Sequence, residues 1–351
     1  MATLLVLGGG GALGAYQAGC LVALAESGVL PDALFGVSAG ALNAAFLAQA
    51  PSLERARQLA AWWQADASRS LLAPSLRARA RSMARSARSG GSALLDAAAL
   101  RDVVTTHVSC HDLSELAVPL TVTTTCLDCS VAVHHATGPV ADTLVASCAL
   151  PGLLPAVRLP DGHLHVDGGI VCGVPLDAAI AAAGPDDRVL VLDCGLAPVT
   201  SGADCAALPS RPSHLPAGVL REAAGATGTA GLLREGAGTA GTAYGARPGC
   251  GLLSLEPRPY LAPTDRVPKA LDPILRAFTA ARNVASTATV RPYLADPRVE
   301  VLPHVADAYA AGLLRALPSG TRDLSDAAGL VAAGEAATRA WLTTRQPATY
   351  R

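Results

Sequence analysis

The sequence predicts an α/β fold built on parallel strands. Two observations lead there. Within the first 50 residues, a short apolar strand, a glycine turn and a helix occur twice in succession, which is the rhythm of strands linked by crossover helices. The chain is also 51% hydrophobic and only 16% charged over 351 residues, enough to bury a large core.

Each element follows from local pattern. Thr3 to Leu7 is apolar and stops at Gly8, so it reads as a buried strand. Ala15 to Ser27 has helical spacing, with Gly28 as its stop. Ala33-Leu34-Phe35 is a second short strand, broken by Gly36. Ala39 to Ala50 forms a helix that Pro51 ends. Leu53 to Val104 is mostly helical; it contains the basic stretch Arg69, Arg77, Arg79, Arg81, Arg85 and Arg88, which reads as a solvated face or as a surface for anionic lipid heads. Pro119 to Thr125 and Ser130 to His134 alternate as two strands of a hairpin around Leu127-Asp128-Cys129. Leu164-His165-Val166 and Val189 to Leu192 are further strands, and Leu271 to Val284 and Asp323 to Leu342 are helices. Pro198 to Gly251, rich in Gly, Ala, Pro and Thr, is placed as a cover or lid. The expected organisation is a core over residues 1–197, with a mostly helical cover over 198–351 that continues the same domain.

Bulk composition excludes some functions. A formal net charge of −1 does not fit a nucleic-acid partner, which calls for a basic excess. Of the 27 basic residues only Lys269 is a lysine, a bias that looks like coding preference. The N-terminus lacks a basic region and a long apolar run, so neither a secretory signal nor a membrane span is expected. Nine cysteines without a signal point to reduced thiols in a cytoplasmic setting, and the odd count argues against full disulfide pairing.

Chemistry enters with two glycine motifs. Gly9 to Gly14 satisfies G-x-G-x-x-G, a dinucleotide fingerprint, yet the second strand runs into Gly36-Val37-Ser38-Ala39-Gly40 rather than ending in a ribose-binding acid. That second motif is G-x-S-x-G between strand and helix. Ser38 would sit on a sharp turn, with Gly36 and Gly40 small enough for strand and helix to approach. Ala39 would offer a backbone N–H at a helix N-terminus, and Gly9, Gly10 and Gly11 would add further amides for an oxyanion. As nucleophile, Ser38 needs a base. His134, His135, His163, His214 and His304 lie in no loop motif, and His165 could line the pocket only if its strand continued to Asp167. Asp167-Gly168-Gly169 at a strand end exposes a carboxylate, and burial in an apolar cleft would lift its pKa above the usual value of roughly 4. The same residues also fit an ordinary Asp-Gly turn.

Together the glycine loop, Gly36 to Gly40 and Asp167-Gly168-Gly169 resemble the patatin-like phospholipase family. Leu7 to Gly19, the hairpin from Leu120 to His135, and Ala146-Ser147-Cys148-Ala149-Leu150-Pro151-Gly152-Leu153-Leu154-Pro155 are similar to segments of that family. The resemblance covers roughly Leu4 to Leu192. It implies a three-layer α/β/α sandwich around a mostly parallel sheet. It also implies a serine acyl hydrolase with a Ser38–Asp167 dyad, an acyl-serine intermediate, lipid or simpler ester substrates and no metal or organic cofactor. A peripheral contact with a membrane is compatible with it. Two departures stand out: Leu13 occupies the place where the family usually has Arg or Lys, and no Asn follows Asp167-Gly168-Gly169. Leu13 keeps open a catalytically silent relative that binds lipid or protein, and Gly9–Gly14 keeps open a nucleotide-binding protein.

Three other features have plainer readings. Cys126-Leu127-Asp128-Cys129 is C-x-x-C without a second pair at finger-like spacing, so it is read as structural or incidental, with no metal expected. Trp62-Trp63 is read as core or interface, and Ala146 to Val157 as structure beneath the site or the border of an acyl groove.

Overall fold

The structure is a computed structural model and describes residues 1–66, 68, 71, 75–88, 93–194, 284–286, 288–315 and 323–344. The expected lid over Pro198 to Gly251, nearly all of the helix over Leu271 to Val284, His214 and Arg69 lie outside the described residues.

Apolar runs become the centre of one sheet. Among the described residues, strands β1 (Thr3–Leu7), β2 (Ala33–Val37), β3 (Leu120–Cys126), β4 (Val131–His135), β5 (Val157–Arg158), β6 (Leu164–Asp167), β7 (Arg188–Leu192) and β8 (Val299–Val301) form an eight-stranded sheet. Its order is β5-β6-β3-β2-β1-β7-β8, with β4 also paired to β3. β3, β2, β1, β7 and β8 run parallel. β4 and β6 run antiparallel to β3.

Strand alternation then builds two cores. Leu5 and Leu7 of β1, Leu34 of β2 and Leu190 and Leu192 of β7 face one way. There they meet helices α1 (Gly14–Glu26), α2 (Ala39–Ala48) and α3 (Leu53–Gln64). Leu4, Val6, Phe35, Val189 and Val191 face the other way, onto Leu176 and Ala179 of a later helix, Leu176–Ala182. Helices on both faces of a mostly parallel sheet make a three-layer α/β/α sandwich, as the sequence implies.

Further helices among the described residues are α4 (Leu76–Arg88), α5 (Ala98–His107), α6 (Val140–Ser147), α7 (Leu176–Ala182), α8 (Val305–Ala310) and α9 (Ala327–Thr343). α1 is buried continuously from Gly14 to Leu24 because it lies between the sheet and α9, whose Leu330, Val331 and Ala333 share its core. A helix apolar on every side needs such cover. Tyr16 on α1 donates its hydroxyl to the Pro303 carbonyl at 3.0 Å, tying α1 to the segment after β8. The arginines Arg77, Arg81, Arg85 and Arg88 lie exposed on α4, where Arg85 pairs with Asp96. No helix among the described residues is long and apolar enough to cross a membrane.

Several elements differ from the sequence reading, which leaves β5, α6, α7 and α8 unassigned. β2 does not break at Gly36 but continues to Val37, because a neighbour on each side holds it: Gly36 pairs with Leu7 of β1 and with Val122 of β3. β8 is not anticipated, since Val299-Glu300-Val301 is too short to show alternation; its pairing with β7 makes it a strand.

The junction of β1 with α2 depends on Gly40. A Cβ there would collide with the carbonyl oxygens of Leu7 and Gly8. Gly40→Ala is therefore expected to destabilise the protein by about 1–3 kcal/mol or more, lowering its melting temperature by several degrees. An unchanged melting curve would show that position 40 tolerates a side chain.

Candidate active site

β3 acts as the template on which two other strands are aligned. Leu120 to Thr123 pair with β2, and Thr124 to Cys126 pair with β6. β4 pairs with Val122 to Cys126, so it occupies the other edge. β2 and β6 therefore lie end to end along one edge of β3. β2 runs parallel to β3 and β6 antiparallel, so their C-terminal ends meet. The last pairs are Val37 with Thr123 and Asp167 with Thr124. Ser38 and Asp167 meet at that junction: the Ser38 hydroxyl donates to Oδ2 of Asp167 at 2.7 Å.

Each group is held by its own local structure. Ser38 stands between β2 and α2 at φ 54° and ψ −126°, a conformation that non-glycine residues rarely adopt. Its N–H donates to Oγ of Ser147 at 2.9 Å, and the Ser147 hydroxyl donates to the Thr123 carbonyl at 2.7 Å. Asp167 is only 1% exposed. Its Oδ1 accepts from the Gly169 N–H at 2.8 Å, its N–H donates to the Ala149 carbonyl at 3.0 Å, and its carbonyl accepts from the Thr125 hydroxyl at 3.0 Å. A Cβ at Gly168 would strike the Thr123 carbonyl, so only glycine lets the chain turn away here.

The glycine loop lies against the serine. A Cβ added to Gly9 would lie 3.2 Å from Cβ of Ser38. The Gly9 N–H, expected to face an oxyanion, instead donates to the Gly173 carbonyl at 3.1 Å, and the Gly8 N–H donates to the Leu192 carbonyl at 3.0 Å. Gly10 caps the short 3-10 turn Gly11–Leu13, and Ala39 is the first residue of α2. The leading N–H groups of such turns have no acceptor within them, so Gly10, Gly11 and Ala39 are the amides suited to an anion.

A buried amide network fixes both ends of the loop. Gln17 donates from Nε2 to the carbonyls of Gly8 at 3.3 Å and Leu192 at 3.2 Å. Asn43 donates from Nδ2 to the Gly14 carbonyl at 3.0 Å and to Oε1 of Gln17 at 2.8 Å. Trp63 donates its indole N–H to Oδ1 of Asn43 at 2.8 Å. All three side chains are buried. Sequence reading missed Gln17, Asn43 and Ser147 as positioning groups; polar side chains in otherwise apolar helices were the available signal. Leu13 is fully buried in the core, so a charge at that position would have no water around it.

The Ser38 hydroxyl goes to Asp167 rather than to a histidine among the described residues. The strand does continue to Asp167, as the pocket-lining reading of His165 required, but His165 is fully buried and engaged elsewhere. Its Nδ1 is 2.8 Å from the Thr124 hydroxyl and its Nε2 is 2.9 Å from Asp161. His135 also meets the Thr124 hydroxyl at 2.8 Å, and burial together with neighbouring His165 holds its pKa down to about 4. Burial and the Asp167 carboxylate keep the Cys148 thiol beside this site well above the usual cysteine range, hence neutral.

Comparison with known proteins matches residues 5–180 to the family described as patatin-like phospholipase. The chain belongs to the patatin-like phospholipase family. Among its relatives, patatin-like phospholipase domain-containing protein 7 of mouse is 31% identical over 176 residues, covering 50% of this chain and 12% of the mouse protein. Human patatin-like phospholipase domain-containing protein 6 is 32% identical over 192 residues, 54% of this chain and 13% of its own length. The neuropathy target esterase sws of Drosophila melanogaster is 31% identical over 187 residues, 49% of this chain and 12% of its own. The chain thus spans only a small part of these curated relatives. Among solved structures, VipD from Legionella pneumophila aligns over 54% of this chain and 49% of its own with a TM-score of 0.33 and 15% identity, too weak a likeness to carry an argument.

Two outcomes follow for this patatin-like site. Ser147→Ala removes the acceptor for the Ser38 N–H and is expected to cost about 1–3 kcal/mol of stability, with any esterase activity falling as well; a variant equal to wild type in both would remove Ser147 from the support of the turn. His135 is neutral in the folded protein down to about pH 4 but titrates near 6.5 when unfolded. Its contribution is therefore complete above pH 6.5 and is lost between 6.5 and 4 as the unfolded chain takes up the proton first. Melting curves of His135→Gln should fall less than those of wild type across that interval.

Proposed function

We propose that this chain is a serine acyl hydrolase of the phospholipase A, lysophospholipase or esterase type, cleaving lipid acyl esters through a Ser38–Asp167 dyad. The observation that carries the reading is the 2.7 Å hydrogen bond from Ser38, on its strained turn, to the buried carboxylate of Asp167. Family membership and relatives whose names include phospholipase and esterase support a lipid ester as substrate.

The chemistry follows from the arrangement. Ser38 Oγ attacks the ester carbonyl while its proton passes to Asp167. The carbonyl oxygen becomes an oxyanion, which the amides of Gly10, Gly11 and Ala39 are suited to bind at the N-terminal end of α2. The bond to the leaving alcohol breaks and Asp167 returns the proton to that oxygen, leaving an acyl-Ser38. Water, activated by Asp167, then releases the carboxylic acid and restores Ser38. Gly9, whose N–H is engaged with Gly173, acts here by lying close to Ser38 rather than as a donor.

The test is turnover of p-nitrophenyl esters of graded chain length and of lysophospholipid by wild type, Ser38→Ala and Asp167→Asn, each checked for fold by circular dichroism. Wild type should turn over, and each folded variant should lose at least about a thousandfold in kcat. Equal turnover by Ser38→Ala would refute the dyad; intact lipid binding without any wild-type turnover would make the chain a silent relative.

A further inference from the structure

We propose that Cys126, Cys129 and His163 form a binding site for a thiolate-seeking metal ion of the Zn2+ class, fastening β3 to β6 at the end of the pairing remote from Ser38. The C-x-x-C pair lacks a second pair in the sequence, but the fold supplies a third ligand, His163, from the residue just before β6. One ligand atom from each of the three residues lies within 4.8 Å of the others, and Cys126 is buried while Cys129 is exposed.

The local backbone is arranged as a metal-binding turn would be. Cys126 ends β3 and pairs with Val131, which starts β4. Ser130 at φ 58° reverses the chain, and its N–H donates to the Cys126 carbonyl at 2.9 Å. The Cys129 N–H donates to Sγ of Cys126 at 3.3 Å, which folds the turn so that the two cysteines lie side by side. The start of β6 is clipped to the same turn. Leu127 N–H donates to the Leu164 carbonyl and Leu164 N–H to Oδ2 of Asp128, both at 2.8 Å.

These bonds set His163 beside the sulfurs. Oδ2 of Asp128 lies 3.3 Å from Nδ1 of His163, and Oδ1 of Asp161 accepts the His163 backbone N–H at 3.0 Å. A carboxylate beside the ring fixes the orientation of an imidazole. Zn–S bonds of about 2.3 Å and Zn–N bonds of about 2.0 Å put tetrahedral ligand atoms roughly 3.5–3.8 Å apart. The ligand atoms already lie within 4.8 Å of one another, so closure to that spacing asks for little side-chain movement, and Cys129 is exposed. Two thiolates and an imidazole suit Zn2+ over Mg2+ or Ca2+, and water completes the fourth position.

The inference does not depend on the hydrolase reading. His163 is four residues before Asp167, about 13 Å along an extended strand, so the ion would touch no reacting group. It would lock the β3–β6 register that places Asp167 opposite Thr124.

The whole 351-residue chain, stripped with chelator and kept reduced by a phosphine, is titrated with Co2+ and then Zn2+. A thiolate-to-cobalt charge-transfer band should saturate at one equivalent, accompanied by visible bands of a tetrahedral site, and one equivalent of Zn2+ should abolish it. Zn2+ at about a hundred times its dissociation constant should raise the melting temperature by roughly 5 °C. Cys129→Ser and His163→Ala, both at exposed or half-exposed positions, should weaken binding by at least about a hundredfold. Cys110→Ser should bind as wild type does, and so should Ser38→Ala, which separates this result from any failure of the hydrolase reading. Absence of the band with thiols shown to be free overturns the proposal. So does a band indifferent to Cys129→Ser, or a Cys126–Cys129 disulfide that persists in the reductant.

Discussion

One edge of β3 carries two strands, and the site depends on that sharing. β2 arrives parallel and stops opposite Thr123; β6 arrives antiparallel and stops opposite Thr124. Neither can extend further without meeting the other, so the chain must turn out of the sheet at both ends in the same place. Ser38 leaves by a left-handed turn into α2, and Asp167 leaves through Gly168 into a 3-10 turn. The serine and the carboxylate are neighbours because register pairing makes them so, and their separation of 129 residues in sequence is immaterial. The strain at Ser38 is offset by bonds the same junction provides: Ser147 receives the Ser38 N–H and returns its own proton to Thr123, the residue that ends the β2 pairing.

The second constraint is polar and buried. Gln17 and Asn43 hold the carbonyls at the two ends of the glycine loop and are bonded to each other, and Trp63 donates to Asn43. In a core that is otherwise Leu, Ala and Val, each donor or acceptor left unmatched would cost about 1–3 kcal/mol, so the network admits few alternative arrangements of α1, α2 and α3. α9 closes the outer side of α1, which makes residues distant from the family segment part of the support of the loop.

Much of this was legible in the sequence where pattern is local. The first two strand–turn–helix units, Ser38 at its turn and Asp167 before two glycines all stand where their motifs put them, since glycine and an apolar run report backbone geometry directly. What escaped the sequence was non-local. The Gly9 N–H is taken by Gly173, a partner 164 residues on, and nothing in the loop itself announces it. β8 exists because β7 offers it an edge. His163 and the C-x-x-C turn come together only through the β3–β6 pairing, so a spacing rule that looks for a second cysteine pair passes over them. Gln17 and Asn43 were visible as amides within apolar helices, but not what they would bond.

Leu13 shows how these constraints act together on the one departure that bears on the loop. A cation at that position in a related loop would add positive field near an oxyanion. Here the side chain is fully buried among the residues of α1 and its neighbours, and its N–H closes the 3-10 turn onto the Gly10 carbonyl at 3.2 Å. Burying a charge there without a partner would cost several kcal/mol, whereas leucine adds to the core. The loop's shape is therefore set by backbone bonds and by the Gln17–Asn43–Trp63 network rather than by a charged anchor. What the substitution removes is long-range field, and what remains is the set of backbone dipoles at Gly10, Gly11 and the start of α2. Such dipoles are fixed before any substrate arrives and need no reorganisation as charge develops, so in the proposed mechanism a loop with Leu13 in place of a cation keeps the part of its electrostatics that geometry supplies.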